Sequence, residues 1–215
     1  MRRVLLAKSD AQSFLKILRK HYPQAGCSLH HADPFQLLIA TILSAQCTDE
    51  RVNKVTPALF RKYPSPTVLA RASKPQVEAL IRSTGFYKNK ALSIIESSKV
   101  ITEKFGGKVP KTMEELLTLR GVARKTANVV LGNAYGISVG IVVDTHVKRL
   151  AFRMGLTKNT VPEKVEQDLM SSVPRDSWEW LSHALIEHGR ALCMARKPQC
   201  AACPLNGICP KNGVQ

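Results

Sequence analysis

Read only as apolar and polar positions, most of the chain repeats every three to four residues, the period of helices that bury one face. Leu37, Leu38, Thr41, Ile42 and Ala45 form one such face, opened by Asp33 as candidate N-cap and Pro34 at the first helical position. Thr112 with Glu115, and Thr160 with Glu163, have the spacing of capping boxes ahead of further apolar runs. Asp144 precedes Val147, Leu150, Ala151 and Met154, and Ser177 precedes Trp178, Leu181, Leu185 and Leu192. Alternation with period two is nearly absent, and "SVGIVVD" is too short to found a sheet. Pro and Gly break the pattern at "KYPSP", "STGFYKNK" and "KFGGKVP". The pattern predicts an all-α fold of many short helices.

One junction in this pattern needs a reason. In "LRGVARKTANVVL", residues 119–131, an apolar helix ends near Leu119, Gly121 permits a tight reversal, and a second helix opens around Val122 or Ala123. The first N–H groups of that second helix lack intrahelical partners and sit at the positive end of its dipole. Arg120, Arg124 and Lys125 add charge to a ready anion site. The stretch resembles a helix–hairpin–helix, which holds one DNA strand by its phosphates. An ordinary αα-hairpin with a solvated basic corner is the other reading.

Charge sharpens the choice. The chain of 215 residues has a formal net charge of +16 at an otherwise globular composition, 44% hydrophobic and 22% charged. Such an excess points to a polyanion, nucleic acid first, against a merely soluble basic protein. No apolar run approaches the roughly 20 residues that span a bilayer. The start, "MRRVLLAKSDAQSF", is interrupted by Lys8 and Asp10 and does not read as a secretory signal. A cytoplasmic, nucleoid-associated protein in a reducing compartment is expected. There Cys193, Cys200, Cys203 and Cys209, spaced C-x6-C-x2-C-x5-C, argue for a metal rather than disulfides. Spacing alone leaves a four-cysteine zinc site and an iron–sulfur cluster both open. Cys27 and Cys47 lie outside the pattern and read as small buried hydrophobes. Arg196 and Lys197, in the loop between the first two cysteines, are expected to contact phosphate.

Together the hairpin with its lysine, the aspartate of "VDTHV", the "LSAQCTD" segment and the cysteine spacing resemble the endonuclease III family. These are DNA glycosylases with an associated abasic-site lyase activity, and the resemblance runs from about residue 10 to residue 210. It implies a helical barrel domain over 27–138, with the helix–hairpin–helix at about 112–134. It implies a second helical domain from 1–26 plus 139–215, holding a [4Fe–4S] cluster on Cys193, Cys200, Cys203 and Cys209. DNA is expected in the cleft between the domains, with the target base flipped out. The implied partner is duplex DNA bearing a damaged pyrimidine or an abasic site, met by a monomer away from membranes.

By position, Lys125 matches the family's nucleophile and Asp144 its catalytic aspartate. Gln46 matches the residue that fills the gap left by the flipped base, and Phe86 the wedge against the opposite strand. Arg120, Gly121, Ala123 and Arg124 belong to the hairpin that holds the backbone. Base departure builds positive charge on the sugar, which a carboxylate stabilises. An unprotonated amine attacking C1′ gives a Schiff base, from which β-elimination cuts the strand. Lys125 lies in the first helical turn, where the dipole disfavours an ammonium.

Four positions depart from the family pattern: Arg120 replaces a proline, Ala123 a second glycine, Leu117 an acidic residue of some members, and Phe86 is bulkier than the common leucine. Ala123 costs about 1 kcal/mol only if its backbone needs positive φ. Two other readings compete. A monofunctional mismatch or adenine glycosylase of this fold usually lacks the lysine. A non-catalytic DNA-binding or redox-sensing module gives no reason for Lys125 and Asp144 together.

Overall fold

The computed structural model describes Leu5 and residues 8–214. Among them there are eleven α-helices and no strand, as the periodicity predicts. They are α1 (Lys8–His21), α2 (Pro34–Leu43), α3 (Asp49–Lys62), α4 (Pro66–Ala70), α5 (Lys74–Ile81) and α6 (Tyr87–Lys104). There follow α7 (Met113–Leu117), α8 (Arg124–Tyr135), α9 (Thr145–Arg153), α10 (Pro162–Ser172) and α11 (Trp178–Ala191). Short 3-10 turns lie at Arg82–Thr84, Arg175–Ser177 and Cys200–Ala202. Contacts divide the chain into a unit of residues 27–139 and a unit of residues 1–26 with 140–215.

The 27–139 unit is built on α2. Asp33 caps it, its Oδ1 accepting the N–H of Gln36 at 2.8 Å, with Pro34 in the first turn. Phe35 and every residue from Leu37 to Leu43 are buried. From Leu37 to Leu43 the apolar face expected from the sequence is the whole circumference, because α3, α6 and α8 all pack on this helix, whereas Ala45, expected on that face, lies past the helix end and is exposed. Before α7, the hydroxyl of Thr112 accepts the N–H of Glu115 at 3.3 Å. The Glu115 carboxylate turns onto that hydroxyl at 2.8 Å, so the box closes side chain to side chain.

The other unit has its core between α1, α9, α10 and α11. Phe14, Leu18, Val147, Leu150, Val165, Leu169, Leu181 and Leu185 pack together there. Trp178 packs half-buried against this core and Trp180 is buried in it, its Nε1 donating to the Tyr22 carbonyl at 2.8 Å. The capping box expected at Thr160 and Glu163 does not form. α10 opens one residue later, on Pro162 after an extended Val161, and has no side-chain cap. Proline favours the first helical position and holds the residue before it extended, which overrides the Thr-x-x-Glu spacing. No helix among the described residues is long and apolar enough to cross a membrane.

Candidate functional site

The hairpin joins α7 to α8. Leu119 and Val122 are buried beneath it, whereas Arg120, Gly121, Ala123, Arg124 and Lys125 are exposed. Gly121 has φ +80, and a Cβ there would stand 2.9 Å from Cβ of Ser93 and 3.6 Å from Ile42. Glycine is thus required twice, by its left-handed backbone and by close packing on α6 and α2. Ser97 Oγ, one turn further along α6, donates to the Arg120 carbonyl at 2.8 Å.

Ala123 is the N-cap of α8 with φ −105 and ψ 172. Its backbone is extended, not left-handed, so alanine carries no steric penalty in place of glycine. Alanine also offers no side-chain acceptor, and α8 has no side-chain cap hydrogen bond. The positive end of this helix is a place where an anion would be favoured. Lys125 is the second residue of α8.

Two exposed residues in the same unit have unusual backbones. Gln46, just past α2, has φ 53, and Phe86, at the N-cap of α6, has φ 47 and is 65% exposed. Both loops are tied to one buried cation that the sequence reading missed. Lys90 Nζ donates to the carbonyls of Leu43 at 2.8 Å and Thr84 at 2.7 Å. Lys90, Ser93 and Ser97 lie on one face of α6 at spacings of three and four, so a single helix face seats the Gln46 and Phe86 loops and the hairpin. Leu117 is exposed on α7.

In the other unit Asp144 caps α9, its Oδ1 accepting the N–H of Val147 at 2.8 Å. No disulfide joins any of the six cysteines. Cys193, Cys200, Cys203 and Cys209 all line one pocket. Among the described residues no three His, Cys, Asp or Glu groups gather tightly enough to share one metal ion. Four thiols lining one pocket are a donor set that suits an iron–sulfur cluster, whose irons take four thiolates. The surroundings supply donors. Arg153 Nη1 lies 3.4 Å from Cys193 Sγ, and His188 Nε2 3.5 Å from Cys203 Sγ. Tyr22 Oη meets His188 Nδ1 at 2.9 Å. His188 is fully buried, and burial brings its pKa down to about 4.

Arg196 and Lys197 are exposed between the first two cysteines. Their loop is held from α9 by a guanidinium. Arg153 donates to the Met194 carbonyl at 2.7 Å and to that of Ala195 at 2.9 Å, and Arg149 donates to Cys193 O at 3.0 Å. The one sequence signal for this tether is the pair of arginines at four-residue spacing on α9, Arg149 and Arg153.

This set of parts is matched by known proteins. Residues 39–175 match the model of the HhH-GPD superfamily base excision DNA repair proteins. Residues 193–209, from the first to the last clustered cysteine, match the iron-sulfur binding domain of endonuclease III. An endonuclease III of Synechocystis is 57% identical over 210 residues, covering 98% of this chain and 96% of that protein. Two solved structures, a trapped endonuclease III–DNA covalent intermediate and a non-covalent endonuclease III–DNA complex, are each 42% identical, with TM-scores of 0.91 and 0.92. Each alignment covers 96% of this chain and 97% of the other. The chain therefore belongs to the endonuclease III family of base excision repair enzymes, DNA glycosylases with abasic-site lyase activity that contain a [4Fe–4S] cluster.

Proposed function

We propose that the enzyme removes oxidised pyrimidines from duplex DNA and then cuts the strand, with Lys125 as nucleophile and Asp144 as the carboxylate that steadies the sugar cation. The observation that carries this reading is an exposed lysine in the first turn of a helix that no side chain caps. A phosphate on the N–H groups of α8 brings the target sugar toward Lys125. Arg120, Gly121, Ala123 and Arg124 line that approach, the glycine and alanine admitting the backbone and the arginines adding charge. A relative 42% identical to this chain has been trapped as a covalent intermediate with DNA, in accord with an amine nucleophile.

In the reaction the flipped nucleotide loses its base as the N–glycosidic bond breaks, and the electron pair leaves with the base. Asp144 offsets the charge that develops on the sugar. Lys125 Nζ bonds to C1′ and gives up a proton, and the sugar ring then opens, O4′ leaving as a protonated hydroxyl and the nitrogen lone pair forming the iminium. Removal of a C2′ proton expels the 3′ phosphate and cuts the strand. Gln46 and Phe86 hold the vacated stack open, and their exposed, left-handed positions suit them to reach into a duplex. Arg196 and Lys197 add phosphate contacts from the loop tied to Arg153.

Cys193, Cys200, Cys203 and Cys209 hold the [4Fe–4S] cluster, whose part here is structural: it fixes that loop. Arg153 directs a donor at Cys193 Sγ, and His188 Nε2 lies beside Cys203 Sγ.

The test is borohydride trapping on duplexes that each contain one lesion. The native protein forms a covalent adduct with an oxidised pyrimidine, and Lys125→Gln binds the duplex without forming it. An adduct formed by Lys125→Gln would assign the nucleophile elsewhere.

A further inference from the structure

Lys90 is an unusual place for a charge. Its side chain lies inside the 27–139 unit, with 5% of the residue exposed, and burial pulls its pKa below the ordinary lysine value. An ammonium is costly to bury unless hydrogen bonds replace its water. Here the replacements are two main-chain carbonyls, Leu43 O at 2.8 Å and Thr84 O at 2.7 Å.

Those carbonyls have a shared significance. Leu43 is the last residue of α2, and Thr84 is the last of the 3-10 turn Arg82–Thr84. Carbonyls at helix ends are unsatisfied within their own helix and carry its negative partial charge. One cation thus satisfies the ends of two separate elements. Three residues past Leu43 the chain reaches Gln46, and two residues past Thr84 it reaches Phe86, the pair with φ 53 and φ 47. Left-handed backbone in a non-glycine residue costs about 1 kcal/mol or more, and persists where the surroundings enforce it. The strained residues are held from the side where Lys90 ties down their loops.

We infer that Lys90 is a positioning residue for base extrusion: by tying the end of α2 to the turn before α6, it fixes the spacing between Gln46 and Phe86 so that the two enter the duplex together. This rests on the gap-filling and wedge roles proposed above for those residues. Lys90 touches neither substrate nor reacting atoms. An aliphatic residue of equal length would fill the same space and leave both carbonyls without a donor.

The experiment compares Lys90→Met with Lys90→Arg in the full, cluster-loaded protein. Two single-turnover rates are read, excision of a well-stacked oxidised pyrimidine and strand cleavage at a pre-made abasic site. Fluorescence of a 2-aminopurine beside the lesion reports unstacking. Lys90→Met is expected to lower excision by about tenfold more than it lowers cleavage, a factor equal to about 1.4 kcal/mol in the barrier. The 2-aminopurine signal should fall with excision, and placing the lesion in a mismatch should recover much of the loss, since unpairing is then already done. Lys90→Arg, which keeps the charge and its donors, should restore the ratio. Equal losses on both substrates, or no change in the ratio, would overturn the proposal.

Should Lys90→Met fail to fold, Lys90→Gln, which keeps one amide donor, is measured in the same way. Phe86→Ala and Gln46→Ala separate this inference from the reading beneath it. If they leave the ratio untouched, the wedge and gap-filling roles fall, and the inference with them. If they change it while the Lys90 variants do not, the inference about Lys90 alone is wrong.

Discussion

Asp144 accepts the N–H of Val147 at 2.8 Å through Oδ1, so one oxygen of the proposed catalytic carboxylate is the N-cap of α9. Capping and catalysis separate by substitution. Asn is as good a cap as Asp, whereas Ala loses about 1 kcal/mol. Asp144→Asn should therefore melt near the native temperature, and Asp144→Ala should melt about 2–4 °C lower. Both should lose base excision by about a hundredfold or more, the scale of removing one preorganised electrostatic group. Cleavage of a pre-made abasic site should suffer less, because its bond to the base is already gone. Asp144→Asn retaining native excision would reduce Asp144 to a cap.

Gly121 meets Ser93 where a Cβ would stand 2.9 Å away, and its φ is +80. Gly121→Ala therefore adds left-handed strain of about 1 kcal/mol to overpacking of about 1–3 kcal/mol. Relief comes by lifting the hairpin off α6. The expected result is a lower denaturation midpoint together with weaker binding to damaged and undamaged duplex alike. Adding Ser93→Gly removes the atom in the way and should recover part of the loss. A Gly121→Ala protein with native stability and affinity would show that the hairpin is not held by this contact.

The hairpin, the four cysteines and Asp144 were legible in the sequence because their signals are local. A glycine between two apolar runs, thiols within one short segment, and an aspartate ahead of a periodic stretch need no tertiary information. The α10 start was misplaced by one residue, where Pro162 outweighed Thr160. Lys90 was not legible at all. Its sequence context, "YKNKAL", contains two lysines, and only the packing of α6 on α2 decides which is buried. The same holds for Arg153, whose role depends on carbonyls forty residues away along the chain. Local rules find caps and ligands; the cations that hold loops in place come from long-range geometry.

Arg153 is buried with three carbonyls and a thiol sulfur among its acceptors. Arg153→Met keeps most of the aliphatic bulk and removes every donor. The Cys193 carbonyl keeps Arg149, while those of Met194 and Ala195 lose their donor, at about 1–3 kcal/mol for a group left buried without a partner. The loss should concentrate in the cysteine segment: the visible absorbance of the cluster should decay faster under chelator while the helix content from circular dichroism stays close to native. An unaltered decay rate would mean that the four thiolates hold the loop without help from α9.

Arg196 and Lys197 test whether that loop reaches DNA. Each phosphate neutralised contributes about 0.9 to the slope of log K against log salt. Replacing either residue with alanine should lower the slope by about one and weaken damaged and undamaged duplexes equally, since a phosphate contact reads no base. Arg120→Ala and Arg124→Ala should give the same signature from the hairpin. Arg153→Met should lower the slope too, although its own side chain is buried, because it frees the segment that presents the two cations. If Arg196→Ala and Lys197→Ala leave the slope unchanged while the hairpin variants reduce it, the loop's cations point away from the duplex. The phosphate grip would then belong to the hairpin alone.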